Sequence, residues 1–313
     1  INGTMDREHV PTSLPLLRAG YHILLEKAIA PTEGAVRELQ TVARETGRIV
    51  MICHVLRYAP FYLEMKKRVL AGEIGRLMSI VTEENVSYHH MAVGFVRGKW
   101  NREEVGTMLM TKCCHDLDLI TWFMSGTPPV RVSSVGGLMY FRPENAPPGS
   151  GTRCLLDCAI EEACPYSAKK HYIEQGIWGS YAWEAIEGSD MSEETKLKSL
   201  REDNPLGRCV WHCDNDVVDH QAVNIEFADG CTAVHNMVGG ASKPCRTIHL
   251  LGTEGEIQGV MDEGAFVIRH PDARAGHEYS EETIDVRVSG DGHGGGDLRL
   301  AEDFVRTIRG ESP

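Results

Sequence analysis

The feature that most constrains this chain is a strand–helix–strand pattern near its amino end. Residues 21–26 read as a short buried strand, and residues 48–53 (RIVMIC) as another. Between them Thr32 is placed to cap a helix whose Val36, Leu39 and Ala43 share one face and which Gly47 closes. Connections this short around a helix demand parallel strands and a right-handed crossover. Ligands of such α/β units sit outside the carboxyl ends of the strands. The first strand ends there in Glu26-Lys27-Ala28, an acid–base pair at a loop. Upstream, Ile1-Asn2-Gly3 reads as the end of a further strand rather than the start of a protein. Residues 10–19 are helical in pattern and closed by Gly20.

The pattern changes after Pro60. Residues 61–71 form an amphipathic helix, 77–88 a longer strand, and 108–124 one helix. Residues 217–227 are a strand, Asp229-Gly230 is a hairpin turn signal, and 232–237 return. Residues 246–251 and 256–260 continue an antiparallel meander, and 298–309 form a final helix. Residues 143–205 follow neither period and read as an ordered insertion rich in Cys, Tyr and Trp.

The 313 residues suffice for one large or two ordinary domains. The 45 acidic against 32 basic residues give a net charge of −13, which disfavours nucleic acid and anionic membrane surfaces. No apolar run approaches the 18 or so residues of a membrane span. No basic segment leads into an apolar one at the amino end, so a cytoplasmic protein with ten reduced cysteines is expected.

The polar candidates each have two readings. Lys27 is a donor at a strand end, or a solvated lysine paired with Glu26. His115 is a proton carrier, or a core histidine bonded to Asp118. On the expected continuous helix, Thr111, Lys112, Asp118 and Trp122 share a face with His115. His293-Gly294-Gly295-Gly296-Asp297 either closes over a substrate or is a glycine-rich linker with Asp297 as N-cap. A lipase reading of it fails because no G-x-S-x-G occurs. Cys154, Cys158 and Cys164, with Cys209, His212 and Cys213 further on, are soft ligands in non-standard spacing. Packed thiols are the alternative, and no metal is assigned. Cys113 and Cys114 read as packing.

Taken in order, several segments resemble the Gfo/Idh/MocA oxidoreductases, the family of glucose–fructose oxidoreductase and inositol dehydrogenase. Gly3-Thr4-Met5-Asp6 through His9 is similar to the family's loop after its fourth strand. Glu26-Lys27-Ala28 resembles its Glu-Lys-Pro signature, and Leu56-Arg57-Tyr58-Ala59-Pro60 its domain junction. Trp100-Asn101-Arg102 resembles the segment before the active-site helix, and His115-Asp116-Leu117-Asp118 its His-x-x-Asp. Residues 219–230 and Gly252-Thr253-Glu254-Gly255 resemble its sheet and turn. The likeness spans nearly the whole chain except the insertion. Three departures stand out. The family's glycine-rich G-x-G-x-x-G loop and its first strand are expected to be lacking from these residues, and with a chain that opens mid-fold an amino-terminal truncation is expected. The family's Pro is Ala28. An Asp often found four residues before the histidine is Thr111.

The resemblance implies an α/β fold: the C-terminal part of a Rossmann domain over 1–58, then an α+β domain over 59–313 with an open, mainly antiparallel sheet. It implies hydride transfer between NAD or NADP and a carbinol of a sugar, polyol or sugar acid. It assigns catalysis to Lys27 and His115, with Lys112 beside them, and orientation of the imidazole to Asp118. Cofactor contacts fall to Thr4, His9, Glu26, Lys27, Arg57, Trp100 and Arg102, and substrate contacts to Lys27 and His115, to which residue type and place add Lys112 and His293. A homodimer or homotetramer through the sheet is expected. The alternatives are a non-catalytic or regulatory nucleotide-binding relative and a cofactor-retaining glycoside hydrolase.

Overall fold

The parallel pair forms as the pattern requires. The structure, a computed structural model, describes residues 1–286 and 292–311. In it β1 (Ile23–Leu25) lies parallel to β2 (Val50–Ile52), Ile23 opposite Val50, and Asn2 bridges in parallel to Leu25. Helix α1 (His9–Arg18) precedes β1, and α2 (Glu33–Thr46) crosses from β1 to β2. The Thr32 hydroxyl accepts the Ala35 N–H at 3.3 Å, and Gly47 ends α2 at φ +62°, where a side chain would be strained. Leu39 and Val42 pack from α2 onto Leu17, Ile23 and Leu25 in a small separate core. The Lys27–Ala28 peptide at the end of β1 is cis.

The second sheet has eight strands: β3 (Leu77–Ser87), β4 (Pro129–Gly137), β5 (His220–Phe227), β6 (Thr232–Ala241), β7 (Cys245–Gly252), β8 (Glu256–Val260), β9 (Ala265–Pro271) and β10 (Tyr279–Asp285). Their order across the sheet is β10-β9-β8-β7-β3-β6-β5-β4. The expected meander is therefore interrupted. The early strand β3 inserts between β6 and β7, parallel to β6 and antiparallel to β7. Every other pairing is antiparallel. Strand β3 alternates Ile80, Thr82, Glu84 and Val86 inward, and two-sided pairing buries it as an edge position would not. Strands β4, β9 and β10 extend the sheet beyond the expected meander: β4 and β10 are its largely exposed edges, whereas β9 turns Phe266 and Ile268 inward in alternation.

Helix α3 (Pro60–Leu70) and the helix Cys114–Phe123 cover one face of this sheet. Phe61, Met65, Leu119 and Ile120 meet Ile80, Ile248, Leu250 and Phe266 in the main core. On the other face Val81 and Val234 stay half-exposed, and along the β4 edge Val132 and Val135 are 61% and 72% exposed.

The expected helix over 108–124 is two helices, Met108–Thr111 and Cys114–Phe123, broken at Lys112-Cys113. The region over 143–205 is ordered by short turns, a π-helical turn Lys170–Glu174 and a regular helix Glu193–Glu202 that Ser192 caps. The last helix, Gly292–Ile308, is kinked at His293, Gly294 and Gly295, all at positive φ. Gly296 packs so close to the Val55–Tyr58 turn that a Cβ there would lie 2.6 Å from the Val55 carbonyl oxygen.

Candidate active site

Two loops at strand ends and one broken helix build the site. His9 fixes the first loop: its Nδ1 lies 2.7 Å from the Ala28 carbonyl oxygen and its Nε2 2.9 Å from that of Thr4. It thus ties the Asn2–Thr4 turn to the Lys27–Ala28 turn. The Thr4 hydroxyl donates to Asn2 Oδ1 at 2.9 Å. Neither Asp6 nor His9 caps α1, whose N-cap Glu8 makes no side-chain bond. Asp6 is instead buried, and burial raises its carboxyl above the usual range against the opposing pull of His9 and Lys27.

Lys27 is half-buried, and its Nζ donates to the Thr111 carbonyl at 3.1 Å. That carbonyl is free because the helix breaks at Lys112, which takes Thr111 out of the ladder that would have bonded His115. Glu26 is exposed, and its carboxylate accepts the Lys27 backbone N–H at 3.2 Å.

His115 is 5% exposed, and its Nδ1 is buried with no hydrogen-bond partner among the described residues. Burial first, then the charges of Arg246, Lys27, His293 and His54, push its pKa far below the ordinary histidine value. The ring is therefore neutral at physiological pH. His54 lies 6.4 Å away and His293 5.9 Å away, centroid to centroid. The glycine run thus delivers His293 to His115, with its Nδ1 held 3.1 Å from Asp297 Oδ1.

The expected shared face of Thr111, Lys112, His115 and Asp118 does not form, because the break rotates the two helical pieces apart. Lys112 turns into the sheet and pairs with Glu84 at 3.1 Å. There Arg246 Nε lies 2.6 Å from Glu84 Oε2 and 3.2 Å from Asp116 Oδ1, so two cations and two carboxylates share one buried cluster. Burial and the Arg246 charge lower the Lys112 pKa, and Glu84 opposes them. Asp118 does not hold His115. It takes Arg57 through two bonds of 2.7 and 2.6 Å, with His54 Nε2 3.7 Å away. Arg57 spends its fork on this bond at the junction. Trp100 and Arg102 make their contacts with the insertion side. Trp100 lies against Phe95 and Tyr181, and Arg102 pairs with Asp216 at 3.0 Å.

Sequence reasoning missed Glu84, Arg246, His54 and His90. Glu84 carried a signal, the one charged residue on an inward register it shares with Ile80, Thr82 and Val86. The six soft ligands do not assemble either. Arg97, 1% exposed, sits among them and donates to Cys154 Sγ at 3.4 Å and to the Tyr166 carbonyl at 2.7 Å. Among the described residues, three ligand-type atoms converge instead at Cys113, Asp116 and His235, where Arg246 already supplies the positive charge. Contrary to the expectation that the motif is lacking, the G-x-G-x-x-G spacing occurs in the sequence at Gly290 through Gly295, of which Gly290 and Asp291 lie outside the described residues.

Comparisons with known proteins agree with this layout. The family model described as the GFO/IDH/MocA C-terminal domain matches residues 62–157. The Bacillus subtilis protein YteT is 26% identical over 310 residues, covering 96% of this chain and 70% of YteT. Inositol 2-dehydrogenase 2 of Saccharopolyspora erythraea is 35% identical over 85 residues, 26% of this chain and 25% of that protein. Levoglucosan dehydrogenase in complex with NADH and L-sorbose superposes with a TM-score of 0.69 at 16% identity, over 99% of this chain and 70% of that one. That likeness establishes the fold. Among the described residues no helix is long and apolar enough to cross a membrane. The ordered motifs, the matched C-terminal domain and a relative aligned along almost the whole chain together support a Gfo/Idh/MocA oxidoreductase.

Proposed function

We propose that this protein is an NAD(P)-dependent dehydrogenase acting on a carbinol of a sugar, polyol or sugar acid, with Lys27 and His115 handling the O–H group. The observation that carries the reading is the bond from Lys27 Nζ to the Thr111 carbonyl, which holds an ammonium beside the helix start bearing the buried, neutral His115. The residues present fit the nicotinamide end of the cofactor. Asn2–Thr4 and Glu26–Lys27 lie at carboxyl ends of parallel strands, and the His115 Nδ1 is buried without a hydrogen-bond partner among the described residues. A bound nicotinamide would supply the hydride acceptor. His115 takes the hydroxyl proton onto its ring, and Lys27 donates a hydrogen bond to the oxygen as negative charge gathers there. His293 closes one side against His115.

In this reading residues 1–58 contribute the carboxyl edge of the nucleotide domain and 59–313 the substrate domain. The half-exposed face of the eight-stranded sheet, with the exposed Val132 and Val135 at its edge, supports association of two copies through that face. The test is reduction of NAD or NADP by the full-length protein against a panel of sugars, polyols and sugar acids. Binding of dinucleotide without turnover of any of them would favour a non-catalytic relative instead.

A further inference from the structure

A proton taken by His115 cannot stay there. The residue is 5% exposed, and its Nδ1 is sealed without a partner among the described residues. Burial, with the charges of Arg246, Lys27, His293 and His54, opposes a charged ring. The proton must therefore move on, and histidine is the side-chain type suited to passing protons near neutral pH. His54 and His293 flank His115, at 6.4 and 5.9 Å between ring centroids.

The two neighbours differ in their access to water. The His54 side chain is 21% exposed, its Nδ1 is buried without a partner, and its Nε2 faces Asp118, which Arg57 already holds. The His293 side chain is 48% exposed. Its Nδ1 lies 3.1 and 3.2 Å from the two carboxylate oxygens of Asp297. With the Nδ1 hydrogen donated to that carboxylate, Nε2 is left as an acceptor, and the carboxylate offsets the charge that arrives with a proton. The backbone is committed to this placement. His293 sits at φ +50° and ψ +36°, a left-handed state that a non-glycine residue keeps only where its surroundings over-determine it. Such positions cluster at functional sites. Gly294 and Gly295 follow at positive φ, and Gly296 fits against the Val55 carbonyl, which anchors the kink beside the site.

We propose that His293 carries protons between His115 and water, with Asp297 as its positioning residue. In the oxidation direction the carbinol O–H bond breaks and its proton goes to the His115 ring. The C–H hydrogen leaves with its electron pair as hydride to the nicotinamide acceptor. The proton then passes to His293 across one bridging water, since the two rings make no direct hydrogen bond, and leaves to solvent from the exposed ring. One carbonyl formed thus releases one hydride and one proton, and reduction draws its proton in along the same path. This rests on the dehydrogenase reading above and adds the exit route of the proton.

The test compares the full-length protein with its His293→Asn variant. Asparagine tolerates the left-handed backbone, and its shorter side chain leaves space for a small molecule in place of the ring. On the best substrate of the panel, in dilute buffer, the variant should lose about ten- to a hundredfold in kcat, with KM within about twofold of wild type. Added imidazole should restore most of the loss in a saturable way and leave the wild type unchanged, which a merely structural role would not produce. A second measurement needs no turnover. Without added dinucleotide, the ring N–H of His115, read by NMR of nitrogen-labelled protein, should exchange with water more slowly in His293→Asn than in wild type. Loosening of the segment alone would speed that exchange. A variant kcat within about twofold of wild type, a slowed variant that imidazole does not rescue, or exchange equal or faster in the variant overturns the proposal and leaves the dehydrogenase reading standing. Absence of NAD(P)-linked turnover across the panel contradicts the dehydrogenase reading, and the exchange measurement then still decides the proton path.

Discussion

Lys27 Nζ and the Thr111 carbonyl oxygen are 3.1 Å apart across 84 residues of sequence, and their bond joins the end of β1 to the break before His115. The contact uses the Thr111 backbone. The Thr111 hydroxyl, buried and without a hydrogen-bond partner, lies near the Asp6 carboxyl around Gly106. Thr111→Val, close to isosteric, should therefore change kcat/KM less than about fivefold, under 1 kcal/mol of barrier. Steady-state kinetics on the full-length protein check this, and a large loss would transfer the role from the carbonyl to the hydroxyl.

The fold was legible where local chemistry and burial agree. Thr32 and Gly47 bound α2 as their types dictate, and the run around Ile23 could pack only as an inner parallel strand. The insertion of β3 between β6 and β7 was not legible, because strand order is set by long-range pairing that no window of sequence contains. For the candidate site, residue type and place nominate Lys27, His115 and His293. Their partners were not legible. A helix face predicted from 3.6-residue spacing fails once Lys112-Cys113 breaks the helix, and so Asp118 meets Arg57 rather than His115.

Asp118 and Arg57 form a doubly bonded pair in which the carboxylate side chain is only 8% exposed. Asp118→Asn keeps the shape and removes the charge, so Arg57 loses a charge-assisted fork. The variant should lose about 1–3 kcal/mol of unfolding free energy in urea titrations. His115 makes no bond to Asp118, so its orientation, read by the kcat of the folded variant, should survive.

The Lys112–Glu84–Arg246–Asp116 cluster is buried beneath the active-site helix. Glu84→Gln leaves two cations facing one carboxylate and should destabilise the protein by about 3–5 kcal/mol. A double Glu84→Gln, Lys112→Met variant removes one charge of each sign and should recover part of that loss. Equal stability of Glu84→Gln and wild type in chemical denaturation would contradict the cluster.

His171 and His235 are fully buried, and desolvation lowers each to about 4. Below the ordinary value of 6.5 the unfolded chain takes up protons that these folded rings do not, so stability falls with pH. The loss begins near pH 6.5 and continues through about pH 4, at up to roughly 1.4 kcal/mol per pH unit for each ring. Denaturant midpoints measured between pH 7 and pH 5 should show this decline, and His235→Gln should flatten it. Asp6, raised by burial, works in the opposite sense near and above its ordinary value of 3.8.

The most direct test of the account is the kinetic double-mutant cycle of Lys27 and His115 in the full-length enzyme. Lys27→Ala and His115→Ala should each lower kcat on the order of 10²–10⁴-fold with little change in cofactor affinity. The double variant should lose far less than the product of the two, because both groups act on one oxygen and its proton. Near-normal kcat for His115→Ala across the pH range would contradict the account.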